Sequence, residues 1–371
     1  MFFRIINTFV FTSLILMLLF CQKTEHTDNK IPASSSIRGV ADTVGFSFTE
    51  DQIKAVVQLS ERLEHKAIQE NQKKYGNKPW IAAICPHDDH LLAGRVYVHL
   101  FQNLKAKQLI IFGVAHKAGK WGAQDSIIFD SFDYWRGPYG YVPVSETRNE
   151  IISLLPDSIY VVNNDWQSEE HSVEGIVPFI QHYIPDAKIV SILVPYMNWE
   201  RIELISEHLA NALAIIIQKN QWEPGKDIAF ICSNDGDHYG DQDWGGRNLA
   251  PFGADENGYL KATHQDSQLI LTTLSGKLKS EKLKDFCDRV WGENDLKEYK
   301  IRWCGRFAIP FGLNTVRKLM EKLNQKTLNG YLLRYDTSYN LGKLPLDNIG
   351  IGTTAPNNIH HWVGYSVIGY R

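Results

Sequence analysis

The stretch WIAAICPHDDH, residues 80–90, combines a short apolar run with a dense group of ionisable side chains. Ile81 to Cys85 is unbroken and apolar, which is typical of a strand buried on both faces of a parallel sheet. Pro86 cannot donate a hydrogen bond to a neighbouring strand, so we expect the strand to end there. The next four residues are His87, Asp88, Asp89 and His90. Because ligands bind at the carboxyl ends of strands in open α/β sheets, this segment predicts a metal or acid–base site; a solvated loop with a helix cap is the alternative.

The same arrangement recurs along the chain. The apolar runs 108–112 and 227–232 also end in polar residues, which include His116 after the first run and Asp235 and His238 after the second. A further run, 189–194, ends in Pro195 and Tyr196 without a metal-binding group. Three of these four predicted strands therefore lead into a histidine. A shared edge of one sheet explains this pattern better than chance does.

The composition limits the classes of protein. The chain has 39 basic and 42 acidic residues among 371, which argues against nucleic acid as the main partner. Its 5 cysteines are few for a disulfide scaffold, and Cys85 and Cys232 lie within apolar runs, where we expect them to be buried. A small molecule of unknown identity is the expected substrate, and the oligomeric state stays open.

The N-terminal region has the features of an export signal. Residues 1–21 contain Arg4 and a short apolar run that ends at Cys21, which fits a signal peptide and resembles the lipid-modified cysteine of bacterial lipoproteins. Phe20 departs from that pattern, because a small residue normally precedes the cysteine, and an uncleaved anchor is the alternative. Residues 22–45 are mostly polar and predict a flexible tether. We therefore expect an exported bacterial protein attached to a membrane.

Residues 46–371 predict one α/β domain with a largely parallel central sheet flanked by helices, because apolar runs and helical patterns alternate. Thr49 and Gln52 have capping-box spacing at the start of the first helix, whose predicted apolar face ends at Leu63. Ser172 is a predicted N-cap, and Pro178 a predicted kink in the helix that follows. The further predicted helices are 94–104, 199–219 with Asn198 as a cap, 266–276, 280–291 and 307–324, and the last predicted strands are 331–335 and 362–370.

The region 118–144 is rich in glycine and aromatic residues and lacks a regular pattern. Its aromatic side chains either pack over the sheet or form the wall of a substrate pocket. The sequence favours packing over the sheet.

The residue types at the predicted sheet edge suit metal chemistry. Histidine is a common metal ligand, and catalytic sites add a carboxylate or a thiolate while leaving one position open. His87 and His116 follow different strands, which allows their imidazoles to converge. Asp235 either orients His238 or leaves it to act as a general base. Each histidine alone is more often structural, whereas the group together favours a site.

An ordered set of short motifs resembles the Memo family, which includes protein B of the bacterial AmmeMemoRadiSam system. The motifs extend from residue 81 to the C-terminus and are Pro86-His87 with Gly94, Gly113 with His116, Glu170-His171-Ser172 with Glu174, Pro178 to Ile180, Ser233 with Asp235 and His238-Tyr239-Gly240, and Cys304-Gly305-Arg306. Each motif alone is weak, but six in order are fairly specific. The family shares its fold with class III extradiol ring-cleaving dioxygenases, which use non-haem iron(II).

The resemblance implies a metal site at His87, His116 and Cys304, with Asp235 and His238 as catalytic neighbours. It implies iron(II), with copper or zinc as alternatives, because a thiolate suits softer or redox-active metals. This chain departs from the family pattern mainly by added acidic residues, which predict a different metal, an oxygen-rich site or a cationic substrate. The additional pocket candidates are Asp88, Asp89, His90, His171 and Asp237.

Three functions follow as alternatives. The first is a non-haem iron oxidoreductase of the dioxygenase type, and the second is a metal-dependent hydrolase. The third is a non-catalytic binding protein that retains the pocket. His90 and Asp89 compete with Cys304 as the third metal ligand, because they lie so close to His87.

Overall fold

A ten-stranded mixed sheet with helices on both faces forms the centre of the protein, and a three-stranded sheet lies outside it. The computed structural model describes residues 34–240 and 249–371, and the compact unit spans Ser36–Arg371. No helix in these described ranges is long and apolar enough to cross a membrane. The predicted signal peptide and Cys21 lie outside the described residues.

The strands of the two sheets are numbered in chain order. They are β1 Ile37–Arg38, β2 Ala82–Cys85, β3 Gln108–Val114, β4 Ile127–Phe129, β5 Tyr134–Gly137, β6 Gly140–Pro143, β7 Tyr160–Val162, β8 Lys188–Val194, β9 Ile228–Ser233, β10 His238–Gly240, β11 Gly276–Lys277, β12 Asn329–Thr337 and β13 His361–Tyr370. The large sheet has the order β11-β12-β13-β2-β9-β3-β8-β4-β7, with β10 paired to β13. The smaller sheet has the order β1-β5-β6.

The helices are also numbered in chain order. They are α1 Glu50–Tyr75, α2 His90–Phe101, α3 Ala118–Trp121, α4 Thr147–Leu154, α5 Asn164–Glu169, α6 Val177–Tyr183, α7 Trp199–Asn220, α8 Glu256–Leu269, α9 Ser280–Val290, α10 Ala308–Lys322 and α11 Ser338–Leu341. A 3₁₀ turn covers Asp157–Ile159, and a π-helical turn covers Ile270–Leu274.

The four central strands are parallel, and this arrangement places the site. Strand β9 pairs in parallel with β2 on one side and with β3 on the other, while β8 pairs in parallel with β3. Antiparallel pairs join β13 to β2 and β4 to β8, so the sheet is mixed towards its edges. The predicted α/β class with a parallel centre is therefore confirmed. The three strands that carry polar residues at their ends are direct neighbours.

Two hydrophobic cores cover the faces of the sheet, as the alternation along β3 shows. Ile110 and Phe112 point into a core shared with α7 and α10, whereas Leu109 and Ile111 point into a core shared with α1, α2 and α6. All four side chains are fully buried. A strand with apolar residues on both faces needs helices on both sides, which is why the run has no polar alternation.

The segment before α1 makes contacts with distant residues over 36–45, and residues 22–33 of the predicted tether lie outside the described residues. The guanidinium of Arg38 is 1% exposed and pairs with Glu174, and its Nε donates to the carbonyl of Gln167 at 3.0 Å. Glu174 also accepts from the backbone amide of Asp42 at 3.0 Å. The sequence failed to show this order because the partners lie more than a hundred residues away.

Several predicted helix ends are confirmed, and others are wrong. Thr49 and Gln52 form the capping box of α1, and Asn198 caps α7. Leu63, however, is 47% exposed and lies off the apolar face of α1. Ser172 does not cap a helix, because α6 begins later and places Pro178 in its first turn, where proline causes no kink. The hydroxyl of Ser172 instead donates to the carbonyl of Val114 at 2.8 Å.

Two other expectations concern less regular regions. The pattern predicted as helix 266–276 belongs to the end of α8 and the π-helical turn after it.

The aromatic region 118–144 contains short strands, and its Phe129 and Trp135 are buried in the two cores. These side chains cover the sheet, as the residues alone favoured.

Candidate metal centre

A cavity of about 170 Å³ lies at the carboxyl edge of β2, β9 and β3. Its walls combine histidines, carboxylates and one cysteine with a few small or apolar residues. They are Asp42, Phe46, His87, Asp88, Asp89, His116, His171, Asp235, His238, Cys304, Thr354 and Ala355. The sequence-based expectation that polar residues after different strands meet at one edge is thus met by His87, His116, Asp235 and His238.

His87 presents one nitrogen to the cavity. Its Nδ1 lies 2.7 Å from the hydroxyl of Ser233, and that hydroxyl donates to the carbonyl of Ser172 at 2.6 Å. Because the hydroxyl proton is already used, Nδ1 must carry a proton and donate to Ser233. Nε2 is then the nitrogen with the free lone pair, and it is buried without a hydrogen-bond partner among the described residues. Burial, followed by the charges of His116 and His171, lowers the pKa of His87 well below its usual value, so the imidazole is neutral.

His116 is oriented by Glu170. Its Nδ1 donates to the Glu170 carboxylate at 2.8 Å, and its backbone amide donates to the other oxygen of the same carboxylate at 2.7 Å. Burial acts to raise the pKa of the Glu170 carboxyl. The charge of His116 and the hydrogen bonds to the carboxylate outweigh burial and lower this pKa to about 2. The carboxylate therefore fixes the ring with Nε2 towards the cavity, as carboxylates do behind metal-binding histidines. Glu170 belongs to one of the family-like sequence motifs, but no local pattern indicates this orienting role.

Cys304 enters from the loop before α10. Its backbone amide donates to the carbonyl of Asp235 at 3.1 Å, which ties this loop to the end of β9. Gly305 makes the approach possible, because a Cβ there would lie 2.5 Å from Oδ1 of Asn234. The sulfur lies 3.4 Å from Nε2 of His116 and 2.9 Å from Nε2 of His238.

His238 is neutral, as His87 is. Burial, followed by the charge of Arg302, lowers the pKa of His238 to about 3.

The donor atoms have the spacing that a metal ion requires. One atom from each of His87, His116 and Cys304 lies within 4.8 Å of the other two. Asp235, His238 and Cys304 form a second group with this spacing, and His116, Glu170 and His171 form a third. Only the first group includes the buried Nε2 of His87 that lacks a partner. Two imidazoles and one thiolate suit iron, copper or zinc, so the residues fit a transition metal.

His90 and Asp89 lie beside the cavity in structural roles, which argues against them as the third ligand. Nδ1 of His90 accepts from the amide of Ser47 at 2.9 Å, and Nε2 donates to the carbonyl of Gly175 at 2.8 Å. Asp89 accepts from the amide of Ala355 at 2.8 Å and from the hydroxyl of Thr354 at 3.1 Å. Both side chains hold loops together.

The other pocket candidates divide into two groups. The ring of His171 stacks on His116 with centroids 4.7 Å apart, and Asp88 lies in the wall, where it accepts from the hydroxyl of Tyr365 at 2.7 Å. Burial, followed by the charge of Asp89, raises the pKa of Asp88 to about 6. Asp237 is buried beside Asp266 and outside the cavity wall, so the structure does not bring it together with the other candidates.

Four residues of the wall had no signal in the sequence. Asp42 lies in the predicted tether and Phe46 directly after it, and Thr354 and Ala355 lie in the loop before β13. Phe46 stacks on His90 with centroids 5.1 Å apart. The pattern of polar residues after apolar runs gave no signal for these residues, because they do not directly follow such a run.

The family model described as Memo-like protein matches residues 41–353. The chain belongs to the Memo-like family. The matched range contains all the residues of the cavity wall except Thr354 and Ala355. The family resemblance found in the sequence motifs is thereby confirmed.

Three archaeal MEMO1 family proteins illustrate the similarity. This Memo-like chain is 30% identical over 161 residues to one from Methanosarcina barkeri, covering 43% of this chain and 55% of that protein. It is 28% identical over 207 residues to one from Pyrobaculum arsenaticum, covering 53% and 66% respectively. It is 32% identical over 163 residues to one from Saccharolobus islandicus, covering 42% and 52%. The matched segments thus span about half to two thirds of these curated relatives.

Proposed function

We propose that this Memo-like protein binds one transition-metal ion through His87, His116 and Cys304, and that it is a non-haem iron oxidoreductase. The observation that carries the proposal is the buried Nε2 of His87, which has no hydrogen-bond partner among the described residues, in a histidine that groups with His116 and Cys304 at metal-ligand spacing. An unpartnered buried nitrogen is costly unless something binds it. A metal ion removes that cost.

The surrounding residues support metal binding. Ser233 fixes the tautomer of His87, and Glu170 fixes that of His116, so both rings are oriented before any ion arrives. When bound, an iron ion in such a site supplies redox and Lewis-acid chemistry at its open positions. His238 lies 2.9 Å from the sulfur of Cys304 and is positioned to accept the thiol proton. An oxygen of Asp235 lies within 4.8 Å of a ring nitrogen of His238 and of the Cys304 sulfur, so Asp235 and His238 are the proposed acid–base groups.

A metal-dependent hydrolase is the second candidate. The grouping of Asp235, His238 and Cys304 favours it, because a carboxylate and an imidazole next to a metal suit the activation of water. A binding protein without catalysis is the remaining alternative. The metal that is retained and the need for oxygen distinguish the three functions.

The test of the metal site is the metal content of single variants, measured after anaerobic reconstitution with iron(II), zinc(II) or copper(I). His87→Ala, His116→Ala and Cys304→Ser each remove a ligand atom, so we expect each to lose most of the bound metal. His65→Ala changes an exposed histidine on α1 and serves as the matched control. His171→Ala tests a cavity histidine outside the proposed ligand set and should keep most of the metal.

The outcomes separate the alternatives. Full metal occupancy in both His87→Ala and His116→Ala rules out the proposed centre. Iron with oxygen-dependent turnover supports the oxidoreductase, whereas zinc with oxygen-independent hydrolysis supports the second candidate. Metal binding without turnover of any tested substrate class favours the binding protein.

A further inference from the structure

The cavity wall is strongly acidic beyond what the proposed metal site uses. Asp42, Asp88, Asp89 and Asp235 all line it, and no lysine or arginine does so in the described ranges 34–240 and 249–371. The positive charges of Arg302 and Lys117 act on His238 and His171 from outside the wall. Four carboxyl groups thus face a bound molecule, together with His116. Burial acts to lower the pKa of His116, but the charge of Glu170 helps to raise it well above its usual value.

Three of these carboxylates lie apart from the metal-binding groups. The close groups of histidine, cysteine and carboxylate in the described part of the chain include Asp235 but exclude Asp42, Asp88 and Asp89. Asp89 is fully engaged by Thr354 and Ala355, and Asp88 accepts from Tyr365 and from the amide of Asp89. The oxygens of both carboxyl groups therefore already have partners, and burial raises the pKa of each group.

Asp42 differs from the others because one of its oxygens faces no donor. Oδ1 accepts from the amides of Val44 and Gly45 at 2.7 and 2.9 Å, which forms a local turn. Oδ2 accepts no hydrogen bond from the described residues. The backbone around Asp42 is held in place, because its own amide donates to Glu174, which also pairs with the buried Arg38. A fixed carboxylate with an unused oxygen is therefore presented at the cavity.

The unpartnered nitrogen that carries the proposed metal site also indicates that this cavity binds a ligand. The imidazole of His87 is 1% exposed, and its unpartnered Nε2 lies in the same wall as Asp42. A volume of about 170 Å³ admits only a small molecule. Phe46 and Ala355 supply apolar surface for a short hydrocarbon part.

We propose that the cavity selects a small cationic substrate, a primary amine or a similar ammonium-bearing molecule, and that Asp42 binds its positive charge. This inference deepens the proposed function, since it assigns a substrate class to the same cavity. An ammonium group offers three donors, so it can bind the free oxygen of Asp42, whereas the carboxylate of Asp42 repels a ligand carboxylate placed at the same position. Asp42 is a specificity-determining residue in this proposal.

The test compares n-propylammonium, 1-propanol and propionate, which have similar size and different charge. Ligand-observed NMR measures the binding of each probe to the full-length protein, both free of metal and loaded with zinc. We expect n-propylammonium to bind in preference to the other two in the metal-free form. In the zinc-loaded form the metal can coordinate propionate, so the comparison there is between n-propylammonium and 1-propanol. Asp42→Asn should weaken its binding about fivefold, because a partly exposed ion pair contributes up to about that factor. The asparagine oxygen can still accept from Val44 and Gly45, so the turn is retained.

Two controls keep the result interpretable. Asp186→Asn removes an exposed acid far from the cavity and should leave the binding of n-propylammonium unchanged. Asp42→Ser also keeps a turn-forming oxygen, so it replaces Asp42→Asn if that variant fails to fold. Thermal unfolding of each variant confirms that it is folded.

Three results overturn the inference. They are equal binding of propionate and n-propylammonium to the metal-free protein, an unchanged preference in the Asp42 variants, and displacement of the amine by stoichiometric Mg²⁺ that depends on Asp42. The last result assigns the carboxylates to a divalent cation. Because the metal-free protein is included, loss of the proposed metal site leaves this test valid, and metal content of the Asp42 variants is measured separately.

Discussion

The backbone amide of His87 donates to Oδ1 of Asp235 at 2.9 Å, and Nε2 of the same histidine lies 3.1 Å from Oδ2 of that carboxylate. The second contact lacks hydrogen-bond geometry, since Nε2 has no hydrogen-bond partner. With the ring proton on Nδ1, a lone pair of the imidazole faces the carboxylate. Two electron-rich atoms at this separation favour a cation or a proton between them.

Asp235→Asn should therefore weaken metal binding. The asparagine oxygen can keep the hydrogen bond from the His87 amide, which turns its NH₂ group towards Nε2 and blocks the lone pair. We expect a roughly tenfold to hundredfold loss of metal affinity, in the range found when residues behind metal ligands are changed. Calorimetric titration with zinc measures it. The control is Asp266→Asn, which changes a buried carboxylate outside the cavity. An unchanged metal affinity of Asp235→Asn contradicts the proposed role of the contact between His87 and Asp235.

The strand ends of the site were predictable from the sequence, because their signal is local. His87 and His116 follow apolar runs that can only be buried strands, and parallel neighbours bring their ends together. Cys304 follows no strand, and only the family resemblance indicated it. Its position depends on the contact between Gly305 and Asn234, which no local pattern reveals.

The roles of His90 and Asp42 were not predictable, because both depend on distant partners. The nitrogens of His90 bind Ser47 and Gly175, which are 43 and 85 residues away. Without those partners, His90 has the same local signal as His87. Asp42 lies in a polar segment with the composition of a tether, and its order comes from Arg38 and Glu174, separated by 136 residues.

Arg38→Lys should destabilise the protein even though it keeps the charge. Arg38 binds Glu174 and the carbonyls of Gln167 and Glu170 with different nitrogens, and a lysine has a single head group. Because the site is buried, we expect a loss of roughly 3 kcal/mol in the free energy of unfolding, measured by urea denaturation. Proteolysis within residues 39–48 should also become faster. The control is Arg62→Lys, which changes an exposed residue of α1. Equal stability of the two variants contradicts the structural role of Arg38.

Cys21→Ala tests the predicted export and lipid attachment. If Cys21 carries the lipid, the variant loses its anchor, and we expect most of the protein to move from the membrane fraction to the soluble fraction. Fractionation with immunoblotting measures the change. Cys304→Ala keeps the N-terminal region and should stay with the membrane fraction. A Cys21 variant that remains membrane-bound and retains its N-terminus indicates an uncleaved anchor instead.

Asp266 and Asp237 form a buried acidic pair that should make stability depend on pH. Burial raises the pKa of Asp266 to about 6, although Trp303 and Tyr335 donate hydrogen bonds to it at 2.8 and 3.0 Å. Burial, followed by the charge of Asp266, raises the pKa of Asp237 well above its usual value. A carboxyl whose pKa is raised on folding binds protons more tightly in the folded state. Its contribution to stability is therefore complete below about pH 4 and is lost as the pH rises through about 6.

Asp266→Asn should remove the pH dependence of stability that Asp266 contributes. The amide oxygen can still accept from Trp303, while the neutral side chain no longer resists burial at high pH. Relative to the unmodified protein, the free energy of unfolding of the variant should rise between about pH 4 and about pH 6 by on the order of 2–3 kcal/mol and then level off. Urea unfolding of the metal-free proteins across this range measures the difference, with exposed Asp186→Asn as the control. A difference that is constant with pH means that Asp266 ionises as an ordinary carboxyl in the folded protein.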